Sequence, residues 1–352
     1  MKRIEFLDGL RGVAIIMVIC FHAFSKWPSI VPYGNTYGDF PLFKYGNLGV
    51  QLFFLISGFV ILMSLEKHKN FFQFFYKRWL RLFPAMLIAT ILIYPTAHFF
   101  YERPAGMPTT SSIIPGLFFI EPNWIEDLTG IKINPLEAAF WSLYIEFKFY
   151  FIFGVSYFLF GDKKAILAIL SFYVLFIIGS FFSIGFLLSL SSTLSLIQFG
   201  WFASGSLAYL YFVSKENRYL YLSVLTGFSE TYQFRHDLQS WLFSIFILLL
   251  FFVPIYFQKA RSLLSNSVLL FLGFVSYPLY LIHENTMISL ICKVSKIIDI
   301  PSILLPLVPI AILIFIAFII TKILEPFVRK MIIQISTSAN SGFKILRFKR
   351  LI

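Results

Sequence analysis

Cysteine is nearly absent from this 352-residue chain: Cys20 and Cys292 are the whole complement, and both fall in apolar runs. Two such thiols make neither a disulfide framework nor a metal-ligand spacing. Charge is scarce as well. Asp, Glu, Lys and Arg make up only 13% of the residues while 59% are hydrophobic, and a soluble domain carries about 25% charge. An ordinary soluble domain is thereby excluded, and a polytopic membrane protein is implied. There is no internal repeat or low-complexity tract, and no phosphate-cradling glycine loop, His–Cys metal cluster or nucleophile elbow. The formal charge of +12 does not imply nucleic acid, because the basic residues lie mostly in short loops between apolar runs. Asp8 and Arg11 interrupt the N-terminal apolar run, and no small-residue cleavage site follows His22, so that run reads as a retained anchor rather than a signal peptide.

What is present is a series of ten apolar spans, at about 6–27, 48–65, 82–101, 136–160, 165–187, 193–213, 218–229, 240–257, 268–292 and 303–325, judged against the about 20 residues a crossing helix needs. The seventh is short. Ten spans with both termini in the cytoplasm place twenty of the 29 Lys and Arg on the cytoplasmic side and seven outside, with Lys148 and Lys322 inside spans. That is the asymmetry insertion requires. The fold expected is therefore an all-α membrane bundle over residues 1–335, followed by a basic tail over 336–352 that alternates cations with Phe, Ile and Leu and suits the inner leaflet.

Ionisable residues inside spans cost about 2.5–3.5 kcal/mol each on the lenient insertion scale and normally face a protein interior. Span one carries Asp8, Arg11 and His22. Arg11 and His22 return to nearly the same helix face, roughly 16 Å apart along it. A satisfied buried histidine and a snorkelling arginine would account for either residue alone. Gln51 and Ser57 of span two suit interhelical hydrogen bonds. Lys67, Lys69, Lys77, Arg78 and Arg81 form a basic loop before Pro84, which either fixes orientation or grips an anionic ligand or lipid heads. The long outer segment 102–135 sets Glu121, Glu126 and Asp127 beside Trp124, a weak signal for a sugar. Span four buries Glu146 and Lys148, and nothing in the sequence accounts for that cation. Span nine carries Pro278, expected to kink it, and His283–Glu284 in its outer half.

Taken together these pieces resemble acyltransferase family 3, bacterial membrane enzymes that O-acylate surface glycans. The matching stretches are LDGLRG at 7–12, the Arg11-to-His22 spacing, FFLISGF at 53–59, RWLRLFP at 78–84, WSLYIEFKFY at 141–150, SYPLYLIH at 276–283 and LEP at 324–326. The resemblance implies an acyl-CoA donor, most often acetyl-CoA, used as co-substrate with no permanently bound cofactor or metal. It implies a hydroxyl acceptor on a glycan or lipid-linked sugar at the outer face of the cytoplasmic membrane. His22 would be the base, with Glu146 as the partner that sets its tautomer. Arg11, Arg78 and Arg81 would hold CoA phosphates. Asp8, Ser57, Trp141, Tyr150, His283 and Glu325 would bind substrate or support the site. Many relatives carry a further soluble domain, so a separate periplasmic partner is expected if an acyl relay is needed. The rival reading is a proton-coupled secondary transporter with Glu146, His22 and His283 as relay, but the paired repeats such proteins usually show are missing.

Overall fold

A chain that crosses hydrocarbon must satisfy its backbone polar groups internally, and this one does so with helices alone. The computed structural model describes residues 4–349, with side chains through residue 337, and every regular element among them is helical. We number the principal helices α1 (Glu5–Phe21), α2 (Gly49–Leu65), α3 (Phe71–Thr96), α4 (Trp141–Phe160), α5 (Asp162–Phe181), α6 (Phe199–Ser214), α7 (Asn217–Thr231), α8 (Leu238–Tyr256), α9 (Ser267–Ile282), α10 (Glu284–Val294), α11 (Leu307–Ile319) and α12 (Glu325–Lys349).

Eight helical stretches are long and apolar enough to cross a membrane, or nine if the bent pair Gln258–Leu264 and α9, angled by 70°, is one span. The protein is therefore a multi-pass membrane helix bundle. Three of the ten expected spans differ in detail. Residues 218–229 do form a helix, α7, but its 15 residues are fewer than a full crossing needs. The span expected at 268–292 is interrupted at His283, five residues past Pro278. The third span begins at Phe71 rather than near residue 82, because Asn70 caps it by accepting from the Gln73 amide at 3.0 Å and no breaker follows before Pro84. Lys77, Arg78 and Arg81 thus stand on α3, not in a loop. The tail expected to lie on the inner leaflet falls, from residue 338, outside the described side chains.

The spans containing α2 and α6 are each 78% buried, against 28% for α5 and 33% for α8, so α2 and α6 form the centre and α5 and α8 the rim. α1 packs against α9 and α2. Its approach to α9 leaves no room for side chains at two glycines: a Cβ on Gly12 would stand 2.3 Å from the Leu269 carbonyl oxygen, and one on Gly273 1.9 Å from that of Asp8. Such close helix contact gains van der Waals packing where lipid supplies no hydrophobic drive. It also fixes Asp8 and Arg11 against α9.

The segment 97–137 is pinned rather than loose. The Ala105 amide donates to Asn285 Oδ1 at 3.0 Å, Lys293 Nζ lies 3.3 Å from Glu102, and the Arg103 guanidinium donates to the Leu136 carbonyl. Lys148 reaches up from α4 to Glu121 Oε1 (2.7 Å), the Thr193 carbonyl (2.7 Å) and Ser195 Oγ (3.0 Å), with its ammonium 4.8 Å from the Trp124 ring. That is the account of Lys148 the sequence lacked. Two of the three carboxylates that gave the weak sugar signal already have protein partners. Glu121 is spent on Lys148, and Glu126 accepts from the Ile133 amide at 2.7 Å.

Candidate active site

Between α1, α2, α3, α4, α9 and the start of α12 lies a cavity of about 540 Å³. Guanidinium groups crowd one end of it. Arg11 is held by Asp8 at 2.8 Å, and Arg329 donates to Glu325 one helical turn before it. Arg81 joins them on the cavity wall and has its own surface exposed. A π-helical turn, Ile320–Leu324, directly precedes Glu325 and sets the angle at which it enters. Midway along the wall, Glu146 Oε1 accepts from Ser57 Oγ at 2.5 Å and from the Tyr150 hydroxyl. Ser57 is thus an interhelical bond partner, as its place on span two suggested. At the opposite end stand Ser142 and Tyr280: the Tyr280 hydroxyl donates to the Ala139 carbonyl at 2.7 Å and accepts from Ser142 Oγ at 2.8 Å.

Behind Tyr280, outside the cavity lining, is a second cluster. The His283 ring lies 5.5 Å from the Tyr280 ring and 4.7 Å from that of His22. Hydrogen-bond partners assign both tautomers. His283 Nδ1 lies 2.8 Å from the Tyr280 carbonyl, which can only accept, so Nδ1 carries the proton and Nε2 the lone pair. His22 Nδ1 lies 2.8 Å from the Val18 carbonyl and 3.2 Å from His283 Nε2, both acceptors. Nδ1 of His22 is therefore the donor, and its Nε2 is the basic nitrogen. That nitrogen faces Glu284 Oε1 at 3.4 Å. The carboxylate of Glu284 is held by the Trp27 indole N–H at 3.2 Å and the Ala139 amide at 2.9 Å. His22 opens a π-helical turn, His22–Lys26, so the helix geometry changes at this residue.

The expected residues sort as follows. Arg11, Arg81, Asp8, Ser57, Glu146, Tyr150 and Glu325 line one cavity, while His22 and His283 form a pair beside it. The expected His22–Glu146 pairing does not occur: Glu146 bonds to Ser57 and Tyr150, and the carboxylate beside His22 is Glu284. Arg78 does not line the cavity. It is buried with its guanidinium 5.8 Å from both the Phe74 and Tyr150 rings, while Arg81, three residues on along α3, stays exposed. Trp141, at the first turn of α4, is 42% exposed and does not line the cavity itself, but packs at 6.2 Å on Phe54, which does. Arg329, Trp27, Tyr280 and Glu284 were not singled out for the site. Of these, Glu284 left a trace in the sequence as a carboxylate next to His283 inside an apolar run, and Tyr280 as part of the SYPLYLIH stretch.

The fold is thus a bundle of membrane helices enclosing an arginine-lined cavity next to a buried histidine pair, and sequence comparison identifies the family. The family model described as acyltransferase domain (acyltransferase 3) matches residues 4–324, and the chain belongs to that family. It is similar to the peptidoglycan O-acetyltransferase OatA of Listeria monocytogenes serovar 1/2a, with 30% identity over 165 residues covering 43% of this chain and 24% of that protein. It is also similar to an O-acetyl transferase of Shigella phage Sf6, with 30% identity over 190 residues covering 51% of this chain and 54% of that protein. The matches span about a quarter to about half the length of these relatives. No solved structure matches.

Proposed function

We propose that the protein transfers an acyl group, most simply acetyl, from acyl-CoA to a hydroxyl of a surface glycan or lipid-linked sugar at the outer face of the bacterial cytoplasmic membrane. The observation that carries this reading is the polarity of the cavity, which runs from Arg11, Arg81 and Arg329 at one end to Tyr280, and so to the histidine pair, at the other. CoA phosphates are too strongly hydrated to cross a bilayer. They stay at the guanidinium end, where planar donors match phosphate oxygens. The slender pantetheine arm fills the cavity and brings the thioester toward Tyr280 and, past it, His22. The acceptor hydroxyl approaches from the side of Trp27.

In the reaction the acceptor O–H bond breaks as its oxygen bonds to the acyl carbon, and His22 Nε2 takes the proton. The C–S bond breaks, and the departing thiolate takes up that same proton, which returns His22 to its neutral form. The products are an ester and free CoA. The glycan modified by OatA, as that protein is named, supports a cell-wall or surface polymer as acceptor. The test is mass spectrometry of surface glycans with and without the protein, together with titration of the purified protein with acetyl-CoA. Loss of an acyl mass from the deletion strain and saturable binding are expected. An unchanged glycan profile with no binding would end this reading.

A further inference from the structure

We infer that Glu284, oriented by the Trp27 indole and the Ala139 amide, is the positioning carboxylate for His22, and that Glu146 serves the donor cavity instead. The inference rests on His22 being the base. In its resting tautomer His22 spends its only N–H on the Val18 carbonyl and His283, so Nε2 has no hydrogen to give the oxygen 3.4 Å away. Once Nε2 accepts the hydroxyl proton, the ring becomes a cation with a carboxylate oxygen 3.4 Å away, and the contact turns into an attraction between opposite charges. The interaction is therefore absent before reaction and present as charge develops, which is the condition for lowering a barrier rather than merely binding. The backbone carbonyl of Val18 and the imidazole of His283 do what the buried carboxylate does in a hydrolytic triad. Glu284 acts at the other nitrogen.

Its placement is built from three directions. Trp27 comes from the turn after α1, Ala139 from the 3₁₀ turn before α4, and Glu284 itself opens α10. The Ala139 residue also joins this cluster to the cavity, since its amide holds Glu284 while its carbonyl holds the Tyr280 hydroxyl. Glu146, by contrast, shares the cavity wall with Arg11 and Arg81.

The test uses the full chain, with base-labile acetate on the host's surface glycans reporting transfer and calorimetric titration with acetyl-CoA reporting binding. Glu284→Gln should lower transfer at least about 100-fold, the usual contribution of a group acting in proton transfer, with acetyl-CoA affinity unchanged. Glu284→Asp should restore part of the loss, and Trp27→Phe, which removes one N–H, should cost several-fold in transfer alone. Glu146→Gln should weaken acetyl-CoA binding. A His22→Ala variant that still transfers defeats the base assignment itself. Inactive His22→Ala beside near-normal Glu284→Gln, or a Glu284→Gln that also loses acetyl-CoA, overturns the pairing alone. Should Glu284→Gln not accumulate, unchanged transfer in Trp27→Phe overturns it equally.

Discussion

The two arginines of the RWLR stretch separate by a single helical turn into different duties. Arg81 is exposed on the cavity wall, whereas Arg78 is buried, with Nη1 lacking a hydrogen-bond partner among the described residues. Hydrogen bonds to charged groups contribute about 1.5–3 kcal/mol, so Arg81→Ala should weaken acetyl-CoA about 10- to 100-fold in a titration. It should leave the melting temperature in place. Arg78→Ala should do the reverse, lowering the melting temperature and sparing affinity, since its contacts are with Phe74 and Tyr150. Equal affinity losses in the two variants would show that both arginines reach the ligand. Arg329, missed from the sequence, belongs with Arg81. Arg329→Ala should weaken acetyl-CoA but not acetyl-pantetheine, which has no phosphate, and a loss for both would mean that the cavity itself had changed shape.

At the scale of elements, the site depends on how closely α1 and α9 approach. Overpacking a tight contact costs about 1–3 kcal/mol, and Gly273→Ala places a methyl against backbone that cannot yield as a side-chain tip does. A drop in melting temperature together with weakened acetyl-CoA binding is expected, because Asp8 and Arg11 sit on the displaced helix. A fully wild-type melt would contradict the geometry. Lys148 has a different kind of role, joining α4 to the segment that carries Glu121. Lys148→Met should raise amide exchange across residues 113–135 by an order of magnitude or more while α4 itself stays protected, since local opening is set by the contacts that hold each unit. Unchanged exchange there would show that Asn285 and Glu102 hold the segment without it.

For the molecule as a whole, topology and pH response are the properties to test. If α7 completes a tenth crossing, both termini lie in the cytoplasm and residues 102–135 outside, the arrangement that yields the 20-to-7 charge distribution. Cysteine labelling that places residue 120 inside would sink that orientation. Glu137, at the edge of the α4 span, is pushed up to about 8, first by burial and then by the nearby Glu284 charge, with Arg103 opposing. The folded protein therefore keeps a proton that an unfolded glutamate releases near about 4.3. Stability should fall as pH rises from that value through about 8, because over this window the native state binds more protons than the unfolded one. Glu137→Gln should flatten the slope and raise the melting temperature at pH 8. An unchanged pH profile in that variant would remove Glu137 as its cause.

Composition and hydropathy determined by themselves that this is a helical membrane bundle, because continuous apolar runs of about 20 residues fit crossing helices and are too long for barrel strands. The single-helix relation of Arg11 to His22 was also readable, since helical periodicity is local. The fate of Arg78 was not. Its inward turn depended on α3 starting at Phe71, which Asn70 decides by capping and the apolar content does not reveal. Lys148 and Glu121 looked unrelated at 27 residues apart until the folding of the outer segment brought them to 2.7 Å. The carboxylate partner of His22 is the clearest case. Glu146 and Glu284 were both buried acids in apolar spans, equally eligible by type. Only the packing of α1 against α9, with no Cβ at Gly12 or Gly273 to hold the helices apart, brings the Glu284 end of the chain to His22 and leaves Glu146 with Ser57 and Tyr150.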